Sequence, residues 1–151
     1  MMIRKILLPV DGSERSREAV RYAISLAKQT KASLHLLNVV EEQVASLSSE
    51  SDISSILNAS ISYLIEIENE VKEQGVPVSK VAKIGDPATE IVKEAEGAAV
   101  DLIVMASHGR TVLQSALLGS VTTAVIHQEQ AIPVLIVRQG VKIPLSSLKP
   151  S

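Results

Sequence analysis

The chain has no cysteine, no tryptophan and no phenylalanine, and its only aromatic residues are Tyr22 and Tyr63. Without cysteine there is no disulfide, no thiolate nucleophile and no cysteine-ligated zinc. With two tyrosines the chain cannot build the aromatic platforms on which single-stranded nucleic acids stack. A basic face is missing too. Lys and Arg number 15 against 17 Asp and Glu, with no block of one sign, so no nucleic-acid partner is expected. No apolar run reaches the roughly 18 residues of a membrane-spanning helix. The opening MMIRKILLPVDGS has its apolar stretch, Ile6 to Val10, interrupted by Pro9 and closed by Asp11, too short for the core of a secretory signal. A cytoplasmic protein with no membrane partner is expected.

What is present is aliphatic and ordered. Hydrophobic residues make up 46% of the 151, enough for the core of one domain. Ile3 to Val10 reads as a strand buried on both faces. After the turn Asp11-Gly12-Ser13, Ala19, Val20, Ala23, Ile24 and Ala27 recur at helical spacing. Ser33 to Val40 is the second strand, and Glu41 to Asp52 reads as a polar surface loop. Ile53, Ile56, Leu57, Ser60, Ile61, Leu64, Ile65 and Val71 mark a long helix that Gly75 ends. Val76 to Ile84 is a third strand, placed near an edge by Pro77. Asp86 caps the next helix, with Pro87 in its first turn. Leu102 to Met105 is the fourth strand, Ser120 to Gln128 a fourth helix, and Ile132 to Val137 the fifth strand. Strict alternation predicts an α/β fold, a doubly wound five-stranded parallel sheet with helices on both faces. The domain would span 1–138, with a flexible tail from 139 to 151. Ligands of such sheets bind at the carboxyl ends of the strands, where the winding reverses. Alternation alone leaves two common strand orders open.

One connection stands out. Met105-Ala106-Ser107-His108-Gly109-Arg110 leads, by way of Leu117-Leu118, to Gly119-Ser120 at a helix start. Backbone N–H groups lack partners at a helix N-terminus and the dipole is positive there, so a glycine and a serine at that point suit a phosphate. The plainer alternative is a turn glycine and a helix cap. Neither the lysine-bearing phosphate loop nor the dinucleotide glycine fingerprint is present. Asp11 either meets a ligand or caps its own turn. His35 lies in a strand, His108 in a turn and His127 near a helix end, none at metal-ligand spacing. No catalytic pair is visible. Asp52, Glu66, Glu68 and Glu70 read as solvated helix faces.

Gly109, nine residues and then Gly119-Ser120 resemble the glycine motif of the universal stress protein family. ILLPVDGSERSREAVRYAISLA, GDPATEIV and AIPVLIVR resemble it as well, so the likeness runs from Ile3 to Arg138. The resemblance implies a Rossmann-like sheet of order 3-2-1-4-5 and a nucleotide, ATP with Mg²⁺, held across the central crevice. It implies base contacts from Pro9, Val10, Asp11 and Val39, and a floor of Met105 and Ala106. It further implies a phosphate-facing stretch of Gly109, Arg110, Gly119, Ser120, Val121 and Thr122. Ala106 departs from the motif's first glycine. A methyl there costs little in extended backbone and about 1 kcal/mol or more at positive φ. Val112 also departs, where the family often has a small residue. The implied function is a stress-response or signalling module with at most slow ATP hydrolysis. An ATP-using enzyme of adenylating type and a nucleotide-free dimeric scaffold are the alternatives. The apolar strand Pro133 to Arg138 would sit at an open edge and join two copies into a homodimer.

Overall fold

The computed structural model of the chain describes residues 2–108 and 118–139. The elements follow in the order β1 (Lys5–Pro9), α1 (Glu14–Thr30), β2 (Ser33–Glu41), α2 (Glu42–Ser46), α3 (Glu50–Glu73), β3 (Val78–Gly85), α4 (Pro87–Gly97), β4 (Leu102–Ala106), α5 (Ser120–Gln128) and β5 (Val134–Val137). The strands are parallel and ordered β3-β2-β1-β4-β5. This is the expected doubly wound sheet, and β3 lies at an edge as Pro77 indicated. Of the expected tail from 139 onward only Gln139 is among the described residues.

Local signals set the helix ends. Ser13 caps α1 by accepting from the Ser16 N–H. Asp86 caps α4 from Thr89, with Pro87 in the first turn. Gly75 follows α3 at φ 77°, a left-handed backbone that glycine adopts without strain. The stretch 41–52 is not a loop. It holds α2 and the start of α3, because Ser49 and Asp52 form a reciprocal capping box.

One apolar layer lies between the sheet and the α1 and α3 side. Leu8, Leu34 and Leu36 meet Ala19, Ala23 and Ile24 of α1 and Leu64, Ile67 and Val71 of α3. The other joins Leu7, Leu37 and Ile103 to Ala88, Ile91 and Ala95 of α4 and Val125 of α5. Small side chains on α1 and α4 let these helices lie close to the sheet, and leucines and isoleucines from the strands fill the space. Truncating a wholly buried leucine such as Leu36 to alanine would cost about 2–5 kcal/mol.

Polar ties fasten the β3 edge. Glu68 of α3 is not a solvated carboxylate. Its side chain is only 13% exposed and accepts from Lys80 Nζ at 3.0 and 3.1 Å. On the other face, His35 Nε2 donates to Glu94 at 2.6 Å, His35 Nδ1 lies 2.6 Å from Ser79 Oγ, and Lys83 Nζ donates to Glu94 at 2.9 Å. Burial works to raise the Glu94 pKa. Hydrogen bonds from His35 and Lys83 and the Lys83 charge outweigh it, so the pKa sits below the ordinary carboxylate value. Asp101 is also lowered, by the Arg4 and Lys5 backbone N–H groups that its Oδ2 accepts.

A carboxylate with a depressed native pKa stabilises the fold above its unfolded pKa, and that stabilisation is lost as pH falls through the native value. Wild-type stability in urea should therefore decline with pH below about 5, where free carboxylates begin to take up protons. Glu94→Gln should be less stable at neutral pH and show a shallower acid decline. Equal slopes in the two proteins would remove Glu94 from the acid response.

Candidate functional site

The cleft begins where β1 and β4 part. Their ladder has two registered pairs, Ile6 with Leu102 and Leu7 with Ile103, whereas β1 pairs with β2 along its whole length. Beyond Leu7 the carboxyl ends of β1 and β4 diverge, as expected where the winding of a sheet reverses. The resulting cleft has a volume of about 700 Å³. Its floor is the ends of β1, β2 and β4. Ile56, Ala59, Ser60 and Tyr63 of α3 and Val44 of α2 wall one side, and the first turn of α5 stands opposite.

Of the residues singled out from sequence, Pro9, Val10, Asp11, Val39, Met105, Ala106, Ser120, Val121 and Thr122 line this cleft. Gly119 is the N-cap of α5, buried, with its N–H donated to the Ser107 carbonyl at 2.7 Å. Gly109 and Arg110 lie outside the described residues.

The turn after β1 is tied by its own side chains. Asp11 Oδ1 accepts from Ser13 N–H at 3.0 Å and from Ser13 Oγ at 2.6 Å. Asp11 N–H donates to the buried Ser16 Oγ at 3.2 Å. Gly12 between them has φ 86°, which disfavours any side chain there. Asp11 thus holds its own turn through one carboxylate oxygen and lines the cleft as well.

On the opposite wall, no described side chain caps α5. The N–H groups of its first turn are among those an α-helix leaves without internal partners, and they carry the positive end of the dipole. Ser120, exposed on that turn, adds a hydroxyl. The Thr122 hydroxyl donates inward to the Ala106 carbonyl at 2.9 Å and fastens α5 to the end of β4. Ala106 is the last residue of β4 and is absent from the residues at positive φ, so its methyl carries no backbone strain.

Asn38, Ser60 and Tyr63 are among the cleft residues that the sequence does not single out. Asn38 Nδ2 donates to the Val10 carbonyl at 2.7 Å, and Ser60 Oγ donates to Asn38 Oδ1 at 2.6 Å. The Tyr63 hydroxyl is shut from solvent beside Ser16 and Gly12 but makes no hydrogen bond of good geometry to any described residue. Burial pushes its pKa above the ordinary value, and the Ser16 hydroxyl, the Gly12 backbone and the Arg17 charge only partly offset this. The available signal is a polar side chain on an apolar face: Asn38 shares a strand face with Leu34 and Leu36, and Ser60 falls on the helical stripe of Ile53, Ile56, Leu57 and Leu64. His108 also lines the cleft, its Nδ1 3.1 Å from Ser107 Oγ. Among the described residues no group of three or more His, Asp or Glu side chains is placed to hold a metal ion. No described helix is long and apolar enough to cross a membrane.

Comparison with known proteins agrees with this architecture. The model of the universal stress protein family matches residues 2–138. Universal stress protein YxiE of Bacillus subtilis is 36% identical over 152 residues, covering 91% of this chain and 100% of the relative. Universal stress protein MJ0577 of Methanocaldococcus jannaschii is 33% identical over 158 residues, with 92% and 97% covered. The solved structure of MJ0577 superposes with a TM-score of 0.81 at 34% identity, over 94% of this chain and 100% of that one. A universal stress protein solved in complex with cAMP shares the fold, with a TM-score of 0.69 at 24% identity over 91% and 98% of the two chains. A parallel sheet of order 3-2-1-4-5, a cleft at its reversal point and a family model matched from end to end of the sheet lead to one conclusion: the chain belongs to the universal stress protein family.

Proposed function

We propose that the cleft binds an adenine nucleotide, ATP with Mg²⁺, and that the protein works in the cytoplasm as a nucleotide-dependent stress-response or signalling module. The observation that carries this reading is the first turn of α5, uncapped by any described side chain and facing the cleft across from the β1 turn. Pro9, Val10, Asp11 and Val39 would border the base, and Met105 and Ala106 would lie beneath the ribose. Gly109, Arg110, Gly119, Ser120, Val121 and Thr122 would face the phosphates. Mg²⁺ would ride on the phosphate oxygens and neutralise part of their charge. The cleft volume lies within the range of small-molecule sites, about 300–1,000 Å³. The fold neighbour solved with cAMP is in keeping with this choice of ligand. Binding is favoured over catalysis, because no catalytic pair is visible in the sequence.

The same reading includes a homodimer through β5. The β3 edge carries Lys80 and Lys83, charges that discourage pairing, whereas Val134–Val137 carries none. All four side chains of β5 pack inward, and Val137 is only 3% exposed. β5 would offer a second copy its free backbone edge together with the outer parts of the half-buried Val134, Leu135 and Ile136. Ile103 N–H donates to Pro133 and Ser107 N–H to Val137, so the alternation of parallel pairing turns the N–H groups of Val134 and Ile136 away from β4.

Calorimetry with Mg²⁺-ATP should give a micromolar dissociation constant, about −8 kcal/mol. Gly119→Val should abolish binding by placing a branched side chain at the phosphate end. Ser120→Ala should weaken it by about 0.5–1.5 kcal/mol, the net worth of one hydrogen bond. A folded Gly119→Val protein, verified by circular dichroism, that keeps wild-type affinity would place the phosphates elsewhere. Absence of heat at millimolar ATP would favour the nucleotide-free scaffold.

Sedimentation of the wild type should show twice the monomer mass. Ile136→Pro, which deletes an outward N–H and leaves the β4 ladder bonds, should sediment as a monomer with its helicity retained. A monomeric wild type at tens of micromolar would exclude the edge-to-edge dimer.

A further inference from the structure

At the cleft the β1–β2 ladder stops one rung early, and a side chain stands in for the missing rung. In parallel pairing, alternate N–H groups of a strand face the same neighbour. In β2 the odd-numbered ones face β1, since Ser33 N–H donates to the Arg4 carbonyl at 2.9 Å. The even-numbered ones face β3, since Leu34 N–H donates to the Pro77 carbonyl at 2.9 Å. The last main-chain bond between β1 and β2 runs from Val10 N–H to the Leu37 carbonyl at 2.8 Å. The next would run from Val39 N–H to the Val10 carbonyl, and it is not made among the described residues.

The Val10 carbonyl accepts from Asn38 Nδ2 instead. A carbonyl only accepts, so the nitrogen end of the amide must face Val10, and the oxygen end takes the Ser60 hydroxyl. Alternation along β2 places Asn38 on the same face as Leu34 and Leu36, the α3 side. The Val10 carbonyl takes this side-chain bond from the α3 side, and the main-chain bond from the Val39 N–H is not made among the described residues. Val39 lines the cleft, and its N–H is left as an unpaired main-chain donor among the described residues. Such a donor is satisfied by water or by a ligand.

We propose that Asn38 is a positioning residue for the nucleotide base. Aimed by Ser60, it draws the Val10 carbonyl away from the ladder and keeps the Val39 N–H open to a ring acceptor. This rests on the reading of the cleft as a nucleotide site. An open N–H favours adenine, whose N1 accepts, over guanine, whose N1 carries a proton. Base preference would then depend on a side chain that need not touch the base.

Hydrogen exchange on the free, isotope-labelled protein reads the latch without any ligand. In the wild type the Val39 amide should exchange much faster than Leu37, which is paired. In Asn38→Leu, of similar size but without the amide, the rung closes and Val39 exchange should slow by about tenfold or more, as a newly bonded amide does. Affinity for Mg²⁺-ATP should fall about tenfold, near the upper worth of one neutral hydrogen bond, and the ATP-to-GTP preference should shrink. Ser60→Ala should move both readouts the same way by less, and serves if Asn38→Leu does not fold. A Val39 amide as protected as Leu37 in the free wild type overturns the proposal. So does a folded variant in which neither Val39 exchange nor the ATP-to-GTP ratio changes. A wild type that binds no nucleotide overturns the cleft assignment, a result distinct from an exchange rate insensitive to position 38.

Discussion

Beyond Leu7 and Ile103 the two central strands form no further registered pairs, and the architecture shows why. The chain leaves β1 for α1 on one face of the sheet and leaves β4 for α5 on the other. Adjacent strands whose following helices go to opposite faces must let their connections diverge, and the divergence is the cleft. Both polar walls descend from it. The Asp11 turn sits at the mouth because it is the exit from β1, and the first turn of α5 faces it because it follows the exit from β4.

The rest of the fold holds β1, β2 and β4 still enough for that gap to keep its shape. An aliphatic core without phenylalanine or tryptophan does this by close approach. The alanines of α1 and α4 bring helix backbones near the sheet, and branched side chains interlock between them. Near the β3 edge, where the apolar layers thin, charged side chains continue the work. Glu68 with Lys80 ties α3 to β3, and Glu94 with His35 and Lys83 ties α4 to β2 and β3. Partly exposed pairs such as Arg17 with Glu70 add about 0–1 kcal/mol. Glu94 is different, because two donors converge on one largely buried carboxylate.

Much of this was legible in the order of residues because it rests on near neighbours. Pro87 after Asp86, and Gly75 after a run at helical spacing, are decided within a few residues of chain. The capping box Ser49 to Asp52 is equally local and was legible in principle, but it sits in a serine-rich stretch that resembles a loop in composition. Glu68 has the spacing of a solvated carboxylate, because its place on α3 says nothing of Lys80 on another element. The cleft residues named from the glycine motif could be listed from sequence, yet whether Ala106 was strained depended on a backbone angle that sequence does not contain.

Sequence by itself determined the alternation of strands and helices, the helix ends and the apolar faces, since periodicity and capping act over three or four residues. The tertiary structure alone decided which polar atoms meet. Ser60 reaches Asn38 across 22 positions, Asn38 reaches Val10 across 28, and His35 reaches Glu94 across 59. A hydrogen bond forms only when donor and acceptor come within about 3 Å at a favourable angle. Side chains so far apart in the chain reach that geometry only after the sheet has been wound and the helices packed against it.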